Sequence, residues 1–223
     1  MCYDVVMRTV LLATGNLKKG KELAEICGAS LTVLTLKDVG LADFDVVEDA
    51  PDFVGNARKK ALAARNALRA AGRTDLDLVV ADDSGLCVDA LDGHPGVRTA
   101  RFAKDAGYAP AGLAIDAANN RLLLIMLAAI PNGRRGAHFV SAVAGVGFNS
   151  DDVVTAEARV FGRIAGDEHG AGGFGYDPLF IVDDDGAAEL RGQRMSELSP
   201  AQKNAISHRG RALAILVPKL AAV

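Results

Sequence analysis

The sequence predicts an α/β fold, and three features of the chain lead to that class. Short apolar runs of strand length, Thr9–Ala13 and Leu31–Leu36, come early in the chain. The alanine-rich segment from Phe53 to Ala71 has the length and composition of a long helix. Residues 137–148 and 153–164 then alternate apolar and polar side chains over long stretches. This pattern predicts a pair of strands joined by a turn.

The composition fits a compact soluble protein without a polyanionic partner. Half of the 223 residues are apolar and the net charge is only −3. Such a balance argues against binding to nucleic-acid polymers, so any phosphate chemistry must depend on a local cluster of Lys and Arg.

The compartment is predicted from the cysteines and the longest apolar run. Cys2, Cys27 and Cys87 are odd in number and lack metal-ligand or redox spacing, which indicates reduced thiols. The apolar run Leu122–Ile130 is too short to span a bilayer, and no leader precedes the first strand. We therefore expect a cytoplasmic protein with no membrane contact.

The remaining segments complete the predicted order of elements. A cationic helix with Lys18 and Lys19 follows the first strand, and an acidic loop with Glu48 and Asp49 precedes the alanine-rich helix. Further elements are a helix over 113–129, a glycine-rich loop at 170–177, a short strand at 178–182 and a capped final helix that begins at Ser199.

A buried strand is predicted to end at Asp82-Asp83-Ser84-Gly85. Ligands of open α/β sheets bind beyond the carboxyl ends of strands, so these groups are candidates for chemistry. Successive strand side chains face opposite ways, and we expect one carboxylate to hold the loop while the other reaches a metal or a water. The alternative is a solvated turn, since Asp, Ser and Gly are common turn residues.

Two generic motif matches are rejected on context. Gly15–Lys21 fits most of a P-loop pattern, but Glu22 stands where a hydroxyl should hold Mg²⁺. Gly170–Gly175 fits the dinucleotide fingerprint, but Pro178 and a β-rich run follow it instead of a helix. We interpret the second segment as a loop that lets backbone approach a ligand, with Phe174 or Tyr176 available for stacking. The alternative is a plain glycine loop anchored by a buried aromatic.

The final helix carries a further group of cations. Lys203 and Ser207 are four residues apart and share a predicted face, with His208 and Arg209 within the next turn. The alternative for this helix is a solvated charged face opposite an apolar one.

Four segments together resemble the inosine triphosphatase-like, Ham1-type family of noncanonical purine nucleoside triphosphate pyrophosphatases. They occur in family order and extend over the whole chain: Leu12–Leu23 with its Thr-Gly-Asn start, Ala81–Leu86 with Pro95-Gly96-Val97, Gly172–Pro178, and Lys203–Gly210. The resemblance implies a mixed, strongly twisted central sheet with flanking helices, and two lobes around a nucleotide cleft. It also implies a single domain over 1–223, with residues 1–8 as a short extension, and a homodimer.

The resemblance also implies roles for individual residues. Asp83 would be the catalytic carboxylate and, with Glu48, a ligand of Mg²⁺. The family's acidic loop reads Glu-Glu-Thr-Gly, whereas this chain has Val47-Glu48-Asp49-Ala50, so the choice between Glu48 and Asp49 stays open. Asn56 and Lys60 match the helix after that loop. The predicted substrate-binding residues are Thr14, Gly15, Asn16, Leu17, Lys18, Lys19, Ser84, Phe174, Gly175, Tyr176, Asp177, Lys203, His208 and Arg209.

The implied activity is hydrolysis of ITP, dITP or XTP to the monophosphate and pyrophosphate. Alternatives are a Maf-like pyrophosphatase acting on modified pyrimidine triphosphates, a P-loop kinase or ATPase, and a non-catalytic nucleotide-binding module.

Overall fold

The computed structural model describes residues 8–16, 25 and 31–222. The strands are β1 (Arg8–Leu12), β2 (Leu31–Thr35), β3 (Leu78–Val88), β4 (Gly136–Gly147), β5 (Val153–Ile164) and β6 (Phe180–Val182). The helices are α1 (Phe53–Ala70), α2 (Phe102–Asp105), α3 (Ile115–Met126), α4 (Pro200–Ile206) and α5 (His208–Leu216). Within the described residues the sheet has six strands in the order β2-β1-β3-β4-β5-β6. The predicted α/β class is confirmed.

The sheet contains both parallel and antiparallel pairs. β1 pairs in parallel with β2 and with β3, and Leu12 lies opposite Val80. The Ala13 amide continues this ladder by donating to the Val80 carbonyl over 2.8 Å. Since β1 ends at Leu12, residues 14–16 leave the sheet at the edge where β3 carries Asp82 and Asp83. β5 and β6 pair antiparallel.

β3 is longer than predicted. The strand does not end at Asp82 but continues through Asp83, Ser84 and Gly85 to Val88. All three polar side chains are buried in a continuous strand, so the solvated turn is wrong, and so is the expectation that one carboxylate holds a loop at this point. The strand continues because sheet pairing can satisfy the backbone hydrogen bonds whatever the contacts of the polar side chains. Residue types that commonly form turns do not reveal such a continuation.

β1 also begins earlier than predicted. Arg8, the last residue of the expected N-terminal extension, opens the strand, and its guanidinium donates to the Leu220 carbonyl over 2.7 Å. The predicted helix with Lys18 and Lys19 lies outside the described residues.

The chain divides into two compact units. Unit 1 consists of the described parts of Met1–Asp83, Ala142–Glu157 and Ala212–Val223, and unit 2 consists of Ser84–Ser141 and Ala158–Arg211. In unit 1, α1 buries a stripe spaced at helical intervals, namely Ala57, Ala61, Ala64 and Leu68. In unit 2, the core packs α3 residues such as Leu123 with sheet residues such as Phe139 and Phe180.

Two observations concern the thiols and the possibility of a membrane-spanning helix. Cys87 forms no disulfide with any described residue. Among the helices in the described part of the chain, none is both long enough and apolar enough to cross a bilayer.

Candidate active site

The first turns of α1 bring polar groups onto Asp83. The Asn56 amide donates to Asp83 Oδ2 over 3.0 Å, and the Lys60 ammonium lies 3.2 Å from Asp83 Oδ1. Asn56 and Lys60 are four residues apart, so they share one face of the helix. Asp52 caps that helix by accepting from the Gly55 amide. The buried Asp83 carboxylate is therefore oriented through both of its oxygens.

The acidic loop before α1 contributes Glu48 to the same place. Lys60 Nζ also lies 3.2 Å from Glu48 Oε1, so one ammonium bridges Glu48 and Asp83. Asp49 instead pairs with Lys59 at 2.6 Å, where the Asp49 side chain is 66% exposed and the Lys59 side chain 41%. The geometry therefore associates Glu48, and not Asp49, with Asp83. We call Glu48, Asn56, Lys60 and Asp83 the acidic group.

Electrostatics keeps Lys60 charged in this position. Burial by itself lowers the pKa of the Lys60 ammonium, but the carboxylates of Asp83, Asp82 and Glu48 outweigh burial and raise that pKa above 10.5. The acidic group thus holds one positive charge between two carboxylates.

Asp82 is separated from this arrangement by the pleat of β3. Its side chain is buried, and in an extended strand it points to the face opposite Asp83. The described residues contain no cluster of three or more His, Cys, Asp or Glu side chains suited to a metal. The acidic group therefore offers two protein carboxylates.

The glycine-rich loop of unit 2 is folded around Asp177. Asp177 Oδ2 accepts from the Phe174 amide over 2.7 Å and from Lys203 Nζ over 2.8 Å. A Cβ at Gly173, where φ is +74°, would lie 2.1 Å from Asp177 Oδ2, so only glycine fits there. No helix follows the loop, as the rejection of the dinucleotide fingerprint predicted.

The two aromatic residues of this loop have different roles. Tyr176 is buried and its hydroxyl donates to the Thr99 carbonyl over 3.0 Å, which corrects the expectation that its ring is available for stacking. Burial raises the pKa of this hydroxyl. Phe174 is half-buried, with Lys203 Nζ 4.4 Å and the Arg209 guanidinium carbon 5.3 Å from the ring centroid. The loop is thus anchored by Tyr176, whereas the Phe174 ring lies against the two cations.

Lys203 is buried against the loop and does not lie on a solvated face. Burial raises the pKa of the Asp177 carboxyl, and the neighbouring Lys203 ammonium and Phe174 amide oppose that shift. A buried pair of this kind fixes a loop more than it stabilises a fold. The alternative of a solvated charged helix face is therefore wrong for Lys203.

The predicted single final helix is two helices. Ser207 has extended backbone between α4 and α5, so Lys203 and Ser207 do not share a continuous helix as expected. The Ser207 hydroxyl accepts from the Gly210 amide over 3.0 Å and caps α5. His208 and Arg209 are consequently the first two residues of α5, where the chain changes direction.

These first residues of α5 contact other predicted site residues. Arg209 Nη2 donates to Ser84 Oγ over 2.9 Å, and both side chains are buried. The His208 ring stacks on Phe139 with centroids 5.0 Å apart and planes 11° apart. We call Ser84, Phe174, Asp177, Lys203, His208 and Arg209 the aromatic–cationic group. Ser84 directly follows Asp83 in β3.

Three predicted triphosphate-binding residues, Leu17, Lys18 and Lys19, lie outside the described residues. Thr14, Gly15 and Asn16 lie just beyond β1, where the Asn16 amide donates to the Thr14 hydroxyl over 3.3 Å. Gly15 and Asn16 are exposed, as is appropriate for residues that meet a ligand.

The sequence did not predict the residues outside the loop that fix the backbone of the glycine-rich loop and its Tyr176 side chain. Thr99 anchors Tyr176, and the α3 residues Asp116 and Asn120 hydrogen-bond the Gly175 backbone. The one available signal was the pair Asn119-Asn120 in an otherwise apolar helical pattern, because buried amides in a helix need specific partners.

Comparison with known proteins identifies the family of the chain. Residues 10–219 match the model of the Ham1 family. A dITP/XTP pyrophosphatase of Mycolicibacterium paratuberculosis is 45% identical over 216 residues, which is 96% of each chain. The corresponding Pseudomonas aeruginosa protein is 40% identical over 217 residues.

Solved structures give the same result. The Ham1 protein of Staphylococcus aureus has a TM-score of 0.75 at 33% identity, with 96% of this chain and 99% of that chain covered. A nucleoside-triphosphatase, dITP/XTP pyrophosphatase from Mycobacterium abscessus has a TM-score of 0.65 at 42% identity, with 94% and 99% covered. On this evidence the chain belongs to the Ham1 family.

Proposed function

We propose that this protein hydrolyses noncanonical purine nucleoside triphosphates, ITP, dITP and XTP, to the monophosphate and pyrophosphate. The observation that carries the proposal is the buried Asp83 carboxylate, oriented by Asn56 and linked to Glu48 through Lys60. The names of relatives that match nearly the whole chain support the same reaction.

The acidic group fits Mg²⁺ as a cofactor. Carboxylate oxygens are hard donors, and Mg²⁺ is commonly held by one or two carboxylates together with substrate phosphates. The Lys60 ammonium between Glu48 and Asp83 indicates that positive charge is stabilised at this place. We therefore assign Asp83 and Glu48 as the protein ligands. Bound Mg²⁺ supplies neutralisation of phosphate charge and acidification of water.

Asp83 has the chemistry of a general base. In the reaction, water oxygen bonds to the α-phosphorus, the bond to the bridging oxygen breaks, and pyrophosphate leaves. The proton of that water passes to an Asp83 carboxylate oxygen, whose orientation is fixed by Asn56 and Lys60. Thr14, Gly15, Asn16, Leu17, Lys18 and Lys19 bind the triphosphate, and Lys19, Lys203 and Arg209 stabilise charge on the leaving pyrophosphate.

The aromatic–cationic group binds the base. Phe174 offers an aromatic ring that lies against the cations of Lys203 and Arg209. N–H donors directed at a 6-keto oxygen form hydrogen bonds with hypoxanthine and xanthine. When adenine is bound, its amine leaves these donors without an acceptor. His208, Arg209 and the backbone of residues 174–177 are the candidate donors, and Ser84 contacts the substrate beside Asp83.

Two further properties follow from family membership. We propose a homodimer, and we place the protein in the cytoplasm, where nucleotide pools are used. Size-exclusion chromatography with light scattering measures the first directly.

A panel of triphosphates tests the function. The purified protein is incubated with Mg²⁺ and ITP, dITP, XTP, ATP, GTP or a modified pyrimidine triphosphate, and pyrophosphate and orthophosphate are quantified separately. We expect pyrophosphate from ITP, dITP and XTP far above that from ATP and GTP. Preference for the modified pyrimidine would favour the Maf-like alternative, orthophosphate release a kinase or ATPase, and binding without turnover a non-catalytic module.

A further inference from the structure

We propose that Asp116 and Asn120 of α3 are positioning residues that set base discrimination by holding the two peptide groups on either side of Gly175. The inference rests on the proposed function, since it assigns specificity within that site. Neither residue was singled out by the sequence, and neither belongs to the acidic group or the aromatic–cationic group.

The contacts form a clamp on one residue of the loop. Asp116 Oδ2 accepts from the Gly175 amide over 3.1 Å, and the Asn120 amide donates to the Gly175 carbonyl over 3.1 Å. The two side chains are four residues apart on α3, so they reach the loop from one helix face. Asn120 is only 3% exposed, and its orientation is fixed, because a flipped amide would place its oxygen against the carbonyl.

The clamp acts on both peptide planes around Gly175. The Gly175 amide belongs to the peptide that begins at Phe174, and the Gly175 carbonyl belongs to the peptide that ends at Tyr176. Gly175 has φ of +59°, a region that glycine enters without strain but that it can also leave easily. Apart from the clamp, the peptide between Phe174 and Gly175 is also held by the Asp177 amide, which donates to the Phe174 carbonyl over 3.3 Å. The peptide between Gly175 and Tyr176 would therefore gain the most freedom if the clamp were removed.

One consequence concerns a backbone donor. In a trans peptide the N–H points opposite to the C=O, so Asn120 directs the Tyr176 N–H away from α3. That N–H donates to no acceptor among the described residues. Buried backbone donors are rarely left without an acceptor, which makes this N–H a candidate to meet the 6-keto oxygen of a bound base. Asn120 would then set the direction of a group that reads the base.

The test compares substitutions at the two clamp residues with substitutions at neighbouring residues of α3. Asp116→Ala and Asn120→Ala are measured with Asp116→Asn, whose amide oxygen still accepts from Gly175. Asn119→Ala is the matched control, because Asn119 is equally buried on the same turn but hydrogen-bonds residues 99–103 and not Gly175. Arg121→Ala serves as an exposed control on α3.

For each variant, kcat and KM are measured with ITP and with ATP, together with the melting temperature. We expect both alanine variants on the clamp to raise KM for ITP about 10-fold, to keep kcat within about 3-fold, and to lose about 10-fold of the ITP preference over ATP. Asp116→Asn should keep the preference. Asn119→Ala should lower the melting temperature and also keep the preference, and Arg121→Ala should change neither.

The inference fails if the clamp variants retain the wild-type ratio of kcat/KM for ITP and ATP. It also fails if Asn119→Ala loses that ratio to the same degree, since the effect would then be general loosening of α3. If the wild-type protein releases no pyrophosphate from ITP, the proposed function is wrong, and the clamp is judged on the ratio of ITP and ATP affinities measured by calorimetry.

Discussion

At the scale of single residues, Asp83 is the side chain on which the contacts of the acidic group converge. A buried carboxylate receives an amide and an ammonium from consecutive turns of α1, while the next residue, Ser84, receives the guanidinium of Arg209. The two neighbours differ in chemistry as well as in partners. Asp83 can take a proton, and Ser84 can only donate or accept a hydrogen bond.

Replacement of Asp83 by Asn keeps the shape and removes the base. We predict a loss of roughly 10²-fold or more in kcat for ITP, measured by pyrophosphate release at saturating substrate. Asp49→Asn is the matched control, because Asp49 is an exposed carboxylate that pairs with Lys59. Near-normal turnover by the Asp83→Asn protein would remove Asp83 from the catalytic role.

The Mg²⁺ dependence of two variants distinguishes Glu48 from Asp49 as the second metal ligand. Because Glu48 shares Lys60 with Asp83, we predict that Glu48→Gln raises the Mg²⁺ concentration for half-maximal activity by about 10-fold or more. Asp49→Asn should leave it unchanged. Titration of Mg²⁺ at fixed ITP measures both values, and the reverse result would identify Asp49 as the second ligand.

At the scale of elements, the junction of α4 and α5 determines where His208 and Arg209 lie. Ser207 ends one helix and caps the next, and its side chain is fully buried. A continuous helix would carry His208 and Arg209 further round the same cylinder. The change of direction at Ser207 instead places them at the start of α5, with Arg209 against Ser84.

Loss of this cap is predicted to affect both stability and activity. Ser207→Ala should cost about 1–2 kcal/mol of unfolding free energy, or about 2–8 °C in melting temperature, and should lower kcat/KM for ITP. Ser199→Ala, which removes the capping box of α4 at an exposed position, is the control for a lost cap away from His208. Equal kcat/KM values for the two variants would contradict a special role of the junction.

Local sequence patterns predicted most elements, but they did not predict the full length of β3 or the junction of α4 and α5. The periodicities of α1, α3, β4 and β5 are long and regular, and the structure has each of them near its predicted bounds. The continuation of β3 through Asp82-Asp83-Ser84 was missed because those residue types usually form turns. The break at Ser207 was missed because helix periodicity continues through it and only the tertiary position of Arg209 requires the turn.

At the scale of the molecule, the four segments that carried the family resemblance also contain most of the predicted site. Only that resemblance assigned Asp83 and Lys203 to one predicted site, because they are far apart in sequence. The contacts of Asp116 and Asn120 with Gly175 depend on packing of α3 in unit 2, for which the pair Asn119-Asn120 was the one signal in the sequence.

The packing of unit 2 also depends on one buried carboxylate. Asp184 accepts from the amides of Phe161 and Gly186 and from both terminal nitrogens of Arg211, so it joins β5 to the start of α5. Burial raises the pKa of Asp184, but the Arg211 guanidinium and the two amides outweigh burial and lower that pKa below 3.8. The ionised form therefore stabilises the folded protein.

The pH dependence of Asp184→Asn follows from the sign of that shift. A carboxylate with a lowered folded pKa stabilises the protein fully above its unfolded pKa and loses the contribution as pH falls through the folded pKa. We predict that Asp184→Asn costs about 1–3 kcal/mol at pH 7, and that the difference from wild type shrinks below about pH 3.8. Urea unfolding at both pH values measures it, and a difference independent of pH would contradict this account.

Unit 1 is assembled from three separate segments of the chain, and this affects how the chain folds during translation. Its three pieces lie far apart in sequence, and Leu220 both accepts from Arg8 and fills the space above Gly145, where an added Cβ would lie 2.2 Å from it. Residue 220 must therefore leave the ribosome before the first strand gains this contact. A premature stop before residue 212 would leave that strand and β4 without this cover, and the product would be a target for quality-control proteases.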